Sequence, residues 1–411
     1  MRKNGIDREL RNVDGGICAP KGFLANAVSC GINKEEAEKE DFGLIFSEKR
    51  ASSACVYSTC GVVGAPIEIT KLYQQRMAGF SRAIVFNGEV ANVFQKDGKK
   101  VAEEICRLVE RNTIALKEEV AIASTGRIDQ EVKLEPFERK IKELVAGLHH
   151  SVENSEKLTR ALTCADARGK QLSFEFDLGA YPCRIGAVFK GNTKTCPNLA
   201  TFLCFITTDA NISPKMLQKA LDTEIRDSFN LLNVDGQPSP NDMVCILANG
   251  QAGNYRIDYP DSEYKKFAIA LHLASIEICK TIAKSENAKA IVCNVRGGKS
   301  KQTTRAIAKN IVGSQSVKEA FSKQKLDLEG ILFAIVGTGT EVDFEQVQIS
   351  IGNEDDRIVV WEEGKALFIE PQAIERALHE DEVELFVDLG EGNYSSTAIG
   401  RSFSTVNNGK N

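Results

Sequence analysis

Between Lys190 and Asp209 a basic, polar loop runs through Pro197 and Asn198 into a segment patterned as a buried strand. Phe202, Cys204 and Ile206 fall on one face of that strand, and Thr201, Leu203 and Phe205 on the other. A threonine at the head of a buried strand is ordinarily a β-branched structural residue. It becomes an amino-terminal nucleophile only if the chain is cut just before it. The freed amine then serves as general base for the hydroxyl beside it.

The rest of the chain alternates strand-like and helix-like segments, which predicts a mixed-sheet α/β fold. Ala83–Phe86 and Val120–Ala123 read as strands, the second ending at Ser124-Thr125-Gly126. Lys99–Leu116 reads as a helix with Val101, Ile105 and Leu108 on one stripe. Ser213 is placed to cap a helix starting at Pro214, and a longer helical pattern covers Ser262–Lys284. Strands are expected at Ala290–Cys293, Ile331–Val336, Val347–Ile351, Ile358–Trp361 and Leu385–Leu389.

With 411 residues, 42% hydrophobic and 27% charged, the chain can bury a large core. Its net charge of −5 argues against nucleic acid or an anionic membrane as main partner. The longest apolar runs are strand length, and a polar Met1–Asn12 leads to the expectation of a cytoplasmic address. The 12 cysteines form no CxxC pair, so they read as small buried hydrophobes, and no metal-ligand spacing occurs. Only 4 histidines are available for Ser-His-Asp chemistry.

The Lys190–Asp209 segment resembles the processing site of the ornithine acetyltransferase (glutamate N-acetyltransferase) family. The matching residues are Lys190-Gly191, Pro197-Asn198, Leu199, Ala200 and Thr201, and similarity begins as early as Ala19-Pro20-Lys21-Gly22-Phe23. The resemblance implies the fold shared with the related self-cleaving aminopeptidases, with cleavage between Ala200 and Thr201. Residues 1–200 would be an α chain and 201–411 a β chain, intertwined rather than separate.

It also implies roles. Thr201 would be the nucleophile, and Thr125 with Gly126 would supply an oxyanion hole from a hydroxyl and a backbone N–H. Lys190, Glu286 and Asn407 match substrate-contacting residues. Thr163-Cys164 occupies the place of a Thr-Thr-Asp-Thr motif, of which only Thr163 is retained. On residue type alone, Lys190 reads as a solvated surface lysine and Glu286 as an exposed residue at a helix end. Asn87, Ala91-Asn92 and Asn241-Asp242 are matches that read as architectural.

The implied activity moves an acetyl group from N-acetylornithine, or a related acyl amino acid, to glutamate through acyl-Thr201. No metal or bound cofactor is implied, although some members of that family accept acetyl-CoA. The implied partners are small amino-acid substrates, within an assembly of two α and two β chains. Departures at Cys164-Ala165, at Asn192–Cys196 and in the tail after Asn407 leave two alternatives open. One is a threonine amidohydrolase or acyltransferase with another substrate, and the other an uncleaved binding protein.

Overall fold

The structure, a computed structural model, describes residues 10–32, 38–128, 130–163, 169–191, 202–234, 239–284, 288–353 and 356–404. Strands in its first third are β1 (Arg11–Asn12), β2 (Phe23–Val28), β3 (Phe42–Tyr57), β4 (Phe80–Asn87) and β5 (Val120–Ser124). The middle contributes β6 (Gly169–Leu178), β7 (Tyr181–Gly191), β8 (Phe202–Thr208), β9 (Leu232–Asn233) and β10 (Met243–Ala248). Towards the C-terminus come β11 (Ala290–Gly298), β12 (Gln348–Gly352), β13 (Arg357–Glu362), β14 (Lys365–Ala366), β15 (Glu382–Asp388) and β16 (Tyr394–Arg401).

Two compact units emerge, 1–225 with 236–275 and 226–235 with 276–411. The fold therefore divides at other points than position 200. β7 and β8, which lie on either side of that position, are paired antiparallel neighbours in one sheet.

The first unit holds a mixed sheet of nine strands among the described residues, in the order β1-β6-β7-β8-β10-β3-β4-β5, with β2 also on β3. Its two-residue side-chain period separates two cores. Phe42, Leu44, Val85 and Ile122 join the helices Gly98–Asn112 and Glu135–Ala146 through Ile105, Val109, Phe137 and Ile141. Ile45, Ile84, Phe86, Ala123, Phe205 and Cys245 point the other way and pack with Leu158 of the helix Val152–Leu162. Apolar residues on both faces of β4, β5, β8 and β10 thus make this a covered sheet, which explains the continuous burial of β5, β8, β10 and the Ala83–Asn87 part of β4.

The second unit carries a mixed seven-stranded sheet among the described residues, β14-β13-β12-β15-β11-β16-β9. Cys293, Val295, Ile349, Ile351, Leu385 and Val387 pack against Ile307, Ile311, Ile331 and Ile335 from helices. The α/β reading with mixed sheets is correct, and nine of ten described cysteines are buried. No described helix is long and apolar enough to cross a membrane.

One element differs from expectation. Ile331–Val336 is not a strand but part of a helix, Leu328–Val336, whose start is capped by Asp327 accepting the Gly330 N–H at 2.9 Å. Ile331, Ala334 and Ile335 are buried while Phe333 and Val336 are exposed, which is a helical spacing. A six-residue apolar run does not distinguish the two periods, and the cap decides. The helix from Gly98 also stops at Asn112 rather than Leu116, because Thr113 is extended.

Candidate active site

β4 and β5 run parallel, with Asn87 opposite Ser124, so their C-terminal ends open onto one edge of the sheet. Loops leaving the carboxyl ends of parallel strands are where α/β proteins place their chemistry. Asn87 ties the two ends together. Its amide donates to the Gly88 and Val90 carbonyls at 2.9 and 2.8 Å, and its oxygen accepts from the Ser124 hydroxyl at 2.6 Å. Backbone bonds continue the lacing, Thr125 N–H to Asn87 O and Arg127 N–H to Glu89 O.

Gly126 sits at the point of closest approach. Its φ is +125°, and a Cβ there would lie 2.0 Å from the Glu89 carbonyl carbon, so only glycine fits. Among the described residues its N–H has no hydrogen-bond partner. Glu89 holds a positive φ of 66°, a strain that is uncommon outside glycine and clusters at functional sites. Its carboxylate is paired with Lys39 at 2.7 Å.

Lys190 approaches from β7. It is 2% exposed, and its ammonium donates to the Thr125 hydroxyl oxygen at 2.8 Å, with Thr125 itself 7% exposed. The solvated reading of Lys190 is therefore wrong. A lysine is almost never fully buried without partners, and this one has additional contacts beyond Thr125. With a lone pair of Thr125 Oγ1 occupied by the ammonium, the hydroxyl hydrogen remains to be given to another oxygen.

Lys190 is also the register partner of Leu203 in β8, and Leu203 in turn of Met243 in β10. The next row holds Gly191 and Phe202. There the Asp242 carboxyl accepts the Phe202 N–H through Oδ1 and the Ser239 N–H at 3.3 Å through Oδ2. Asp242 is 1% exposed. Burial pushes its carboxyl well above the ordinary carboxylate range, against the effect of these two hydrogen bonds. Residue pattern alone had placed Asp242 with the architecture. An aspartate directly before the apolar run of β10 was the available signal.

Thr163 terminates the helix Val152–Leu162. Its hydroxyl donates to the Thr159 carbonyl at 2.8 Å and accepts the Gly169 N–H at 2.9 Å, a local role that joins the helix to β6. The helix end still borders the strand-end loops, since a Cβ on Gly88 would meet the Ala161 carbonyl oxygen at 2.6 Å. Ala200, Thr201, Cys164, Glu286 and Asn407 lie outside the described residues.

A family model for ArgJ matches residues 24–406. The chain belongs to the ArgJ family. Among its relatives, "Arginine biosynthesis bifunctional protein ArgJ" of Oceanobacillus iheyensis is 32% identical, covering 94% of this chain and 93% of that one. The protein of the same name from Streptococcus thermophilus is 34% identical, covering 95% and 96%. A crystal structure of ArgJ from Bacillus halodurans is 33% identical, with a TM-score of 0.45 over 48% of this chain and 92% of that chain. Membership of the ArgJ family makes this chain an enzyme and bears out the resemblance read from the Lys190–Thr201 segment.

Proposed function

We propose that this ArgJ-family enzyme is a self-cleaving N-acyltransferase with Thr201 as nucleophile. The reading rests above all on Lys190: a buried ammonium bonded to Thr125, on the strand that pairs with the first residues after Thr201.

In the scission step the Thr201 hydroxyl attacks the Ala200 carbonyl carbon. The C–N bond breaks, the amide nitrogen takes up the hydroxyl proton, and an ester is left. Water hydrolyses that ester to the Ala200 carboxylate, releasing an α chain 1–200 and a β chain 201–411. An α-amine titrates near about 7.7–8.0, close enough to neutral pH for it to act as base once freed. It then accepts the proton of its own hydroxyl as Oγ1 attacks the acetyl carbonyl of N-acetylornithine.

The developing oxyanion is met by the Thr125 O–H and the Gly126 N–H. Each such donor is typically worth about 10²–10³ in kcat. The ornithine amine leaves with the proton, and the amine of glutamate then attacks acyl-Thr201, completing a ping-pong cycle. Lys190, Glu286, Asn407, Thr163 and Cys164 complete the proposed substrate contacts, Lys190 through a carboxylate. The name shared by the relatives supports arginine biosynthesis as the setting. The working form would be a cytoplasmic assembly of two α and two β chains, without a bound cofactor and with acetyl-CoA as an alternative acyl donor.

The test is incubation of cleaved protein with N-acetylornithine, with and without glutamate. Formation of N-acetylglutamate only when glutamate is present supports the transferase. Release of ornithine without it identifies an amidohydrolase using the same threonine.

A further inference from the structure

The strand β8 is held at each end by a buried aspartate. At its C-terminal end the Asp209 carboxyl accepts the Arg184 N–H at 2.7 Å and the Lys21 N–H at 3.1 Å. At its N-terminal end the acceptor is Asp242, on the Phe202 N–H. That N–H belongs to the peptide bond whose carbonyl comes from Thr201. The Asp242 main chain is fixed too, its carbonyl accepting the Ser58 N–H at 2.8 Å. The side chain is therefore carried on a rigid platform, with both carboxyl oxygens occupied by backbone donors.

We infer that Asp242 is a positioning residue for both reactions of Thr201, scission and acyl transfer, which it serves by locking the peptide unit on the C-terminal side of the nucleophile. The inference rests on Thr201 being that nucleophile. Cutting the chain at 200/201 turns residue 201 into a chain end, which frays unless it is tied down. The Asp242–Phe202 hydrogen bond, one peptide away, is a side-chain tie that survives scission alongside the strand pairing of β8. It limits rotation of the residue whose amine and hydroxyl must meet both each other and the acyl carbonyl. Small misplacements at this distance cost large factors in rate.

The experiment follows scission by intact mass at timed points after cell-free synthesis, and then measures kcat and KM for acyl transfer on the cleaved enzyme. Asp242→Ala should slow scission at least tenfold and lower kcat with KM little changed. Asp242→Asn keeps a carbonyl oxygen for the Phe202 N–H and should recover to within about threefold of wild type. Asp209→Asn is the matched control, expected to lower the melting temperature while the folded fraction cleaves at the wild-type rate.

If Asp242→Ala does not fold, Asp242→Ser, whose hydroxyl is too short to reach, carries the same expectation. Wild-type rates of scission and turnover in folded Asp242→Ala or Asp242→Ser overturn the inference. So does equal slowing by Asp209→Asn. A wild-type chain that stays whole while turning over substrate instead overturns the nucleophile reading itself, so the two failures are distinguishable.

Discussion

The Lys190 ammonium and the Thr125 hydroxyl, 65 positions apart in sequence, meet at 2.8 Å in a buried setting. Lys190 lies opposite Leu203 at the head of β8, and Thr125 directly follows Ser124, the last residue of β5, which pairs with Asn87 of β4. The contact orients the hydroxyl hydrogen and polarises it, since hydrogen bonds to charged groups in a low-dielectric interior reinforce one another.

Removing the hydroxyl should expose its role. Thr125→Val is nearly isosteric and is expected to lower kcat by about 10²–10³. Lys190→Met should lower it by at least tenfold. The double variant should be little worse than Thr125→Val alone, because residues acting as one unit are not additive. Steady-state kinetics of the four forms of this cycle give the coupling directly. Additive losses would mean that the two side chains act independently.

Gly126→Ala addresses the backbone. A Cβ at φ +125° and 2.0 Å from the Glu89 carbonyl carbon forces the turn open. The expected cost is about 1–3 kcal/mol of stability for the strained conformation alone. Turnover should fall further than the melting temperature explains, because the N–H offered to the oxyanion is moved. A melt combined with kinetics on the folded fraction checks both parts.

Asn87→Ala leaves the Gly88 and Val90 carbonyls and the Ser124 hydroxyl without their partner. Each unsatisfied buried group typically costs about 1–3 kcal/mol. Denaturant unfolding should therefore show a loss of at least about 2 kcal/mol. Asn87→Asp, which keeps only the acceptor, should recover part of the Ser124 contact and none of the others.

Acid stability gives a prediction away from the site. The hydrogen bond from Lys117 at 2.6 Å, assisted by Arg107, holds the Glu103 carboxyl below its ordinary value. A depressed folded-state pKa contributes stability that is present above the unfolded value, near about 4.3, and is lost as pH falls through the folded one. The pair is partly exposed, so its contribution is at most about 1 kcal/mol and shrinks with salt. Melting curves of Lys117→Met should lie below wild type at pH 7 and converge with it under acid conditions.

The sequence made the periodic elements legible. The strands β4, β5 and β8 and the helical stripe through Ile105 and Leu108 appear in the structure as read, with Leu203 and Phe205 of β8 in one core. Ile331–Val336 misled because a short apolar run fits either period. The burial of Lys190 was not visible, since residue type predicts a solvated ammonium and its partner Thr125 comes from a distant strand end. Asp242 was hidden for the same reason, its contact with Phe202 spanning 40 positions. Motif resemblance identified Thr125, Gly126 and Lys190 as candidates, but only tertiary pairing supplied the physical connection between Lys190 and Thr125.

Intact mass of the purified wild-type chain, beside Thr201→Ala, tests the central claim most directly. The account predicts two fragments from the 45.0 kDa wild-type chain, the second beginning with Thr201, and one inactive full-length Thr201→Ala chain. A wild-type chain of full length that still transfers acyl groups would contradict it.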